Sequence, residues 1–307
     1  MKRIYLILLG FIITCVLSAQ QNLEIFTLSG RYGFPASYDS SLAGKAKESG
    51  IYAALVIPAP ITNKTIWYNS INYFYFHVDN EPVFSANIAD PLDLHGFLFR
   101  TGLYQKFNNG RAIQLLFVPR HMSDLNNARG NSFQFGALAM FEKKYNETLT
   151  ISFGAMYNQE FFGPYLVPLV NLNWQLSDRW SIVGLLPVYA KINYKISNNF
   201  TAGISHFGLV TTYRLNDDAC KDDYIERQSI DLCLFGRYKL FGNLYLEGRF
   251  GRSLGRSYAQ YGSDQKVDFS LPLIGFGDNR VQKNIDFDDG FIIDIRLVYN
   301  ILISENK

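Results

Sequence analysis

The stretch 289–301, Asp289-Gly290-Phe291-Ile292-Ile293-Asp294-Ile295-Arg296-Leu297-Val298-Tyr299-Asn300-Ile301, decides the fold. In an extended strand successive side chains point to opposite faces. Phe291, Ile293, Ile295, Leu297, Tyr299 and Ile301 then share one face, and Ile292, Asp294, Arg296, Val298 and Asn300 share the other. The first face is wholly apolar or aromatic, while the second carries a carboxylate, a guanidinium and an amide. Such a strand needs a greasy exterior and a wet interior, which is what a transmembrane barrel offers.

The pattern recurs along the chain. Phe133, Phe135, Ala137, Ala139 and Phe141 oppose Gln134, Gly136 and Glu142, and Leu149, Ile151, Phe153, Ala155 and Tyr157 oppose Thr150, Ser152 and Gly154. Val170, Leu172 and Trp174 oppose Asn171, Asn173 and Gln175. No helical period and no apolar run long enough for a membrane helix follows residue 20, and aromatics make up 16% of the chain, with 25 Phe and 20 Tyr. A soluble sandwich also alternates, but its strands run to about five or six residues. Here the segments are longer and suit tilted strands that need roughly 9–11 residues to cross the hydrocarbon. Trp67, Trp174 and Trp180 lie near segment ends, as interfacial girdles would place them.

The expected fold is therefore all-β, an antiparallel up-and-down transmembrane β-barrel. Its segments are 22–35, 44–58, 64–78, 93–107, 110–120, 131–143, 147–158, 164–177, 179–186, 188–197, 199–214, 226–240, 243–257 and 289–301. They make fourteen strands, or twelve if Pro187 breaks the hairpin 179–197. The short connections near Asn108-Asn109-Gly110, Tyr145-Asn146-Glu147, Ser177-Asp178, Ser197-Asn198-Asn199 and Gly242-Asn243 fall at one end. The longer ones, 79–92, 121–130, 215–225 and 258–288, fall at the other, the asymmetry of short periplasmic turns and long external loops. Within 199–214 the apolar parity changes, since Phe200, Ala202 and Ile204 are even while Phe207, Leu209 and Tyr213 are odd, so a bulge is expected near His206. The loop 258–288 holds Val267 to Phe276, a candidate for a further strand pair or a cap.

Residues 1–19 read as a secretory signal peptide, with basic Lys2 and Arg3, an apolar run from Ile4 to Val16 and Leu17-Ser18-Ala19 before the cut. Residues 20–307 are then one barrel domain. Removing Lys2 and Arg3 leaves 27 basic residues against the 27 acidic ones, so the mature chain is formally neutral. That balance removes the case for a nucleic-acid partner. Cys220 and Cys233 survive cleavage, and one disulfide between them is conceivable in an exported protein.

The polar parities place a set of charges toward the lumen: Asp231, Arg237 and Lys239, then Glu247 and Arg249, then Asp294 and Arg296, with Arg100 and Lys106 from an earlier strand. Both signs occur. They either line a selective channel or ligand site, or form an ion-pair lattice that fills the barrel. Asp294 and Arg296 should meet Glu247 and Arg249 on the preceding strand, and the last strand should close against Leu23 to Phe34.

Catalytic and metal signatures are thin. A barrel hydrolase needs a serine beside a histidine and an orienting acid. Ser205 and His206 are adjacent and so point to opposite faces, while His77, His95 and His121 have no serine two residues away. The acidic clusters Asp217-Asp218, Asp222-Asp223 and Asp286-Phe287-Asp288-Asp289 lack EF-hand spacing. Gly251-Arg252-Ser253-Leu254-Gly255-Arg256 lacks the ending of a phosphate loop. No cofactor, catalytic residue or metal ligand is expected.

The leader ending Leu-Ser-Ala-Gln, the run Asn173-Trp174-Gln175-Leu176-Ser177-Asp178-Arg179-Trp180, the turn Ile196-Ser197-Asn198-Asn199, and Leu240 to Gly251 before a long loop and closing strand resemble uncharacterised outer-membrane β-barrel proteins of Bacteroidota. Ser304 to Lys307 follow the last strand where many such proteins end on an aromatic. The resemblance implies an outer-membrane location in a Gram-negative bacterium and this fold, and carries over no site residues. Its expected partners are outer-membrane lipid and the barrel-assembly machinery. Three functions stand: a structural barrel or passive small-solute channel, a lipid-modifying barrel enzyme, or a soluble exported β-barrel binding protein.

Overall fold

The structure is a computed structural model that describes residues 21–38, 42–126, 130–220 and 222–303. The leader at 1–19 and the tail at 304–307 lie outside them. The chain runs through β1 (Gln21–Ser37), β2 (Lys45–Pro60), β3 (Thr65–Asn80), β4 (Leu92–Lys106), β5 (Arg111–Ser123), β6 (Phe133–Lys144), β7 (Leu149–Glu160) and β8 (Gly163–Gln175). It continues through β9 (Trp180–Leu186), β10 (Tyr189–Lys195), β11 (Phe200–Arg214), β12 (Tyr224–Phe241) and β13 (Leu244–Tyr261). The long connection that follows carries a small hairpin, β14 (Phe269–Leu271) and β15 (Ile274–Phe276), before the last strand, β16 (Gly290–Ile303).

Each wall strand pairs antiparallel with the next, and β16 pairs with both β13 and β1. The result is a closed barrel of fourteen strands. β16 meets β13 with Glu247 opposite Arg296 and Arg249 opposite Asp294. Its other edge meets β1 from Leu23↔Ile301 to Gly33↔Ile292. The twelve-strand alternative fails because Pro187 sits in a tight turn between β9 and β10, which pair with each other from Tyr189↔Leu185 to Tyr194↔Trp180.

Local chemistry fixes the turns. Asn109 and Gly110 connect β4 to β5 in left-handed conformations (φ 61° and 64°), and Gly242 does the same between β12 and β13 (φ 53°). Asn and Gly adopt that region at least cost. The short turns 61–64, 107–110, 145–148, 176–179, 196–199 and 242–243 lie at one end; the connections 81–91 and 262–289 lie at the other, with the tight turns 161–162 and 187–188.

The exterior is apolar. Leu115, Phe153, Leu234, Phe291 and Ile295 are all more than half exposed, and Trp67, Trp174 and Trp180 are exposed near the short-turn end. A continuous belt of this size is not a feature of a water-facing monomer surface.

The expected bulge near His206 is absent. β11 pairs with β12 residue for residue from Phe200↔Tyr238 to Arg214↔Tyr224 without a register shift. The parity switches because the surroundings switch. Near the short-turn end the even residues face outward, whereas near the long-loop end the interior itself turns apolar around the fully buried Tyr213. Both faces of upper β11 are therefore covered. A register shift does occur in β1 between Glu24 and Phe26, and it lets Glu24 join Ser29 and Arg31 on the inner face.

Candidate functional site

Inside the barrel the strands bring charge together in two tiers. The lower tier centres on Glu247 of β13, whose side chain has no solvent exposure. Arg296 Nη1 donates to Glu247 Oε1 at 2.7 Å from β16, and Arg249 Nε does so at 2.7 Å from two residues along β13. Arg237 Nε donates to Oε2 at 2.6 Å from β12, and Lys191 Nζ reaches it at 2.9 Å from β10. Glu24 from β1 accepts from Arg237 and, at 3.3 Å, from Arg296.

The upper tier centres on Glu48 of β2, also without exposure. Arg31 of β1 donates to Glu48 Oε1 at 2.6 Å, Arg227 of β12 does so at 3.4 Å, and Arg256 of β13 lies 3.7 Å from Oε2. Arg31 also grips Asp231 of β12. β1 and β12 are separated by β16 and β13, so that pair can form only across the interior. Asp294 accepts from Ser29 of β1 and lies 3.8 Å from Arg249 of the lower tier. Burying so many ions is costly unless each is paired and hydrogen-bonded; Glu247 meets that condition at both oxygens, whereas Glu48 Oε2, Arg227 Nη1 and Arg256 Nε and Nη1 are buried without a hydrogen-bond partner.

Above the tiers, toward the long-loop end, the interior becomes a packed apolar plug. Phe76, Val78, Leu94, Met122, Tyr213 and Tyr258 are buried there. The connection 262–289 folds down onto it, with Phe287 stacked on Tyr258 at 5.8 Å between centroids and Arg256 over the Phe287 ring at 4.6 Å. Asp286 accepts from Ser257 and the Tyr258 N–H, and Asp223 holds Lys283 at 2.7 Å and Gln260 at 2.8 Å. The acidic clusters thus serve as acceptors that fasten loops.

Toward the short-turn end Tyr52, Tyr68, Arg100, Asn171 and Asn173 are half-buried on the inner faces of their strands, while Tyr189, two residues from Lys191 on the long-loop side of β10, is 43% exposed.

The charges singled out by sequence divide accordingly. Asp231, Arg237, Glu247, Arg249, Asp294 and Arg296 meet in the tiers. Arg100, opposite Ser70, and Lys106 lie on one face of β4, and Lys239 lies on β12 near the short-turn end; among the described residues these three join no ion pair of the tiers. Sequence reasoning did not single out Glu24, Arg31, Glu48, Lys191, Arg227 or Arg256. Arg31 and Glu48 shared the parity of buried polar neighbours on their strands, and that was the one available signal.

No catalytic arrangement emerges from the candidates. Ser205 is buried with its hydroxyl toward the Cys233 carbonyl at 3.4 Å, while His206 meets the Pro187 carbonyl at 2.7 Å on the opposite face. His77 Nδ1 meets Asp93 at 2.9 Å, and His95 Nδ1 meets Tyr73 Oη at 2.9 Å. Cys220 and Cys233 are both free and buried, so the conceivable disulfide is not formed. No group of three or more metal-binding side chains occurs among the described residues.

A family model described as Domain of unknown function (DUF6268) matches residues 61–269. No curated protein matches the chain. Among solved structures, an outer-membrane channel from Pseudomonas putida F1 is similar at 10% identity and a TM-score of 0.47, covering 95% of this chain and 98% of that one. The TodX monoaromatic hydrocarbon channel, as a deltaS2 mutant, is similar at 10% identity and 0.41, covering 94% and 91%. The KdgM porin in complex with disordered oligogalacturonate is similar at 9% and 0.35, covering 90% and 99%. At these values no function passes from them to this chain.

Proposed function

The chain belongs to that family of unknown function, and from its geometry we propose that it is an outer-membrane barrel whose axial lumen is closed at rest. One observation carries the reading: Glu48 and Glu247 are wholly buried under converging cations, with an apolar plug above them. An open solute path past Arg237 and Arg296 would leave those carboxylates wet. The exterior belt supports a bilayer setting, and the residues 1–19 support export by a signal peptide. The motifs at 173–180 and 196–199 support a Bacteroidota origin. Barrel-assembly machinery would insert it with the short turns toward the periplasm.

The test is conductance of the refolded mature protein in a planar bilayer. The account expects no steady open-pore steps in molar salt, and a stable ohmic conductance would overturn it. Arg100 favours a second reading. It is half-buried on β4 and joins no ion pair among the described residues, so small anions should be drawn to the interior from the short-turn end. If pores are recorded instead, their reversal potential under a salt gradient should show anion preference, and Arg100→Glu should reverse it.

A further inference from the structure

The barrel wall has a gap. β9 and β10 contain seven residues each, short of the roughly 9–11 that a strand needs to cross the hydrocarbon. β9 pairs with β8 only as far as Val170↔Leu186, and β10 pairs with β11 only as far as Tyr189↔Phe207. Upper β8, 163–169, and upper β11, 208–214, therefore each lose one of their two neighbours in the wall, keeping β7 and β12 respectively.

The two edges find different partners. Upper β11 leans inward and bridges to β5 at Arg214↔Ser123. There Thr212 donates through its hydroxyl to Glu160 Oε2 at 2.7 Å and accepts from Gln134 at 2.8 Å, while Arg120 holds Glu160 at 2.7 Å. Upper β8 takes β14 instead. They share one parallel bridge, Ser270↔Tyr165, and the Val267 N–H donates to the Phe162 carbonyl at 2.8 Å. Gly163 allows the approach, since a Cβ there would come within 2.7 Å of the Val267 carbonyl oxygen.

Because β14 runs parallel to β8, the hairpin hangs from the long-loop end toward the β9–β10 turn. Its tip residue Leu273 is 88% exposed, and Ile274 and Phe276 are 53% and 50% exposed. These apolar groups continue the exterior belt, while no strand pairs with the outer edge of β15 among the described residues. Backbone edges facing hydrocarbon must be satisfied or covered. Pro164 and Pro168 leave two fewer donors on the edge that the hairpin covers.

The side chains packed behind this seam are apolar below the Arg120–Glu160 pair: Met140, Met156, Val167, Leu169, Leu185 and Val210 are buried or half-buried in one cluster. Methionine side chains repack around irregular apolar guests.

We propose that the seam between the β14–β15 hairpin and β11 is a lateral gate, through which a small uncharged hydrophobic molecule passes from the surrounding lipid in among these apolar side chains, the methionines repacking around it. The hairpin is suited to swing. Its base is fastened by Arg280, which pairs with Glu226 and with Asp278 at 2.9 Å, whereas its body holds the wall by a single bridge and one backbone bond. The occupant is apolar because both the outer approach and the lining are.

The protein reconstituted in bilayers would be photolabelled with a small iodophenyl diazirine, an uncharged apolar probe, and modified residues mapped by mass spectrometry. The gate predicts labelling of Met140 and Met156 in the natural chain. It also predicts a several-fold rise when 269–276 are replaced by a short Gly/Ser linker, and again in Leu273→Asp, whose charge unseats the hairpin from the lipid side while leaving the barrel wall untouched. Equal interior labelling with and without the hairpin would overturn the gate, as would an interior that is labelled only after the hairpin is removed. Phe153 and Leu234 on the exterior should be labelled in every sample. If they are not, the bilayer setting itself has failed, and the lateral gate fails with it.

Discussion

The wall formed by β12, β13, β16, β1 and β2 and the wall formed by β8 to β11 are built on opposite plans. The first has strands of 14–18 residues that pair along their whole membrane span, and its inner face carries both tiers of charge. The second has two strands of seven residues, a split partner for β8 and a strand that leans inward; its inner face is apolar toward the long-loop end and contributes Lys191 alone to the tiers. The lesson is that rigidity and access are segregated around one barrel. Ion pairs between β1, β2, β12, β13 and β16 lock those strands to each other across the lumen, so that side cannot spread. The opposite side is joined at its upper end by one hydrogen-bonded knot and one bridge, and any opening will occur there.

The comparison can be broken most severely at Glu247. Glu247→Ala would leave Lys191, Arg237, Arg249 and Arg296 without their shared anion, and removing one partner of a buried ion pair costs about 3–5 kcal/mol. Equilibrium unfolding in detergent should show a loss of that size, spread over the whole barrel. Thr212→Val removes the hydroxyl that joins Glu160, Gln134 and the Phe161 N–H. Leaving buried groups unpaired costs about 1–3 kcal/mol, and hydrogen exchange should localise the effect to upper β11 and β5 rather than to β1 and β16.

Much of this contrast was written in the sequence only as parity. The outward face of β16 could be read residue by residue, and the pairing of Glu247 with Arg296 follows from register between neighbours. Arg31 with Asp231 and Glu24 with Arg237 could not be read, because those partners sit on strands that do not touch and meet only through the tilt of a closed barrel. The bulge expected in β11 shows the same limit. A parity change can mean an extra residue in the strand or a change in what surrounds it, and only the position of β5 to β8 against β11 decides between them. The hairpin at 269–276 was visible as a candidate strand pair, but its parallel seat on β8 was not.

Smaller effects sharpen the contrast at the hairpin base. The hydrogen bond from Arg280 holds the Asp278 carboxyl below its ordinary value. A carboxylate with a lowered value contributes its stabilisation above the unfolded value, near about 3.9 for aspartate, and loses it as pH falls through the folded one. The anchor should thus stay closed at neutral pH and loosen only in strong acid, seen as faster exchange of 269–280 while β16 is unchanged. Arg100→Ala sits at the bottom of the scale. With no ion pair to lose, its effect on stability should stay within about 0.5 kcal/mol, in contrast to any arginine of the two tiers.

The most direct test is site-resolved hydrogen–deuterium exchange on the natural chain in bilayer nanodiscs. The account predicts that amides of β1, β13 and β16 stay protected through the longest exposure, while those of β14, β15 and the 163–169 half of β8 exchange much sooner. Uniform protection around the barrel, or fast exchange on the charged wall, would contradict it.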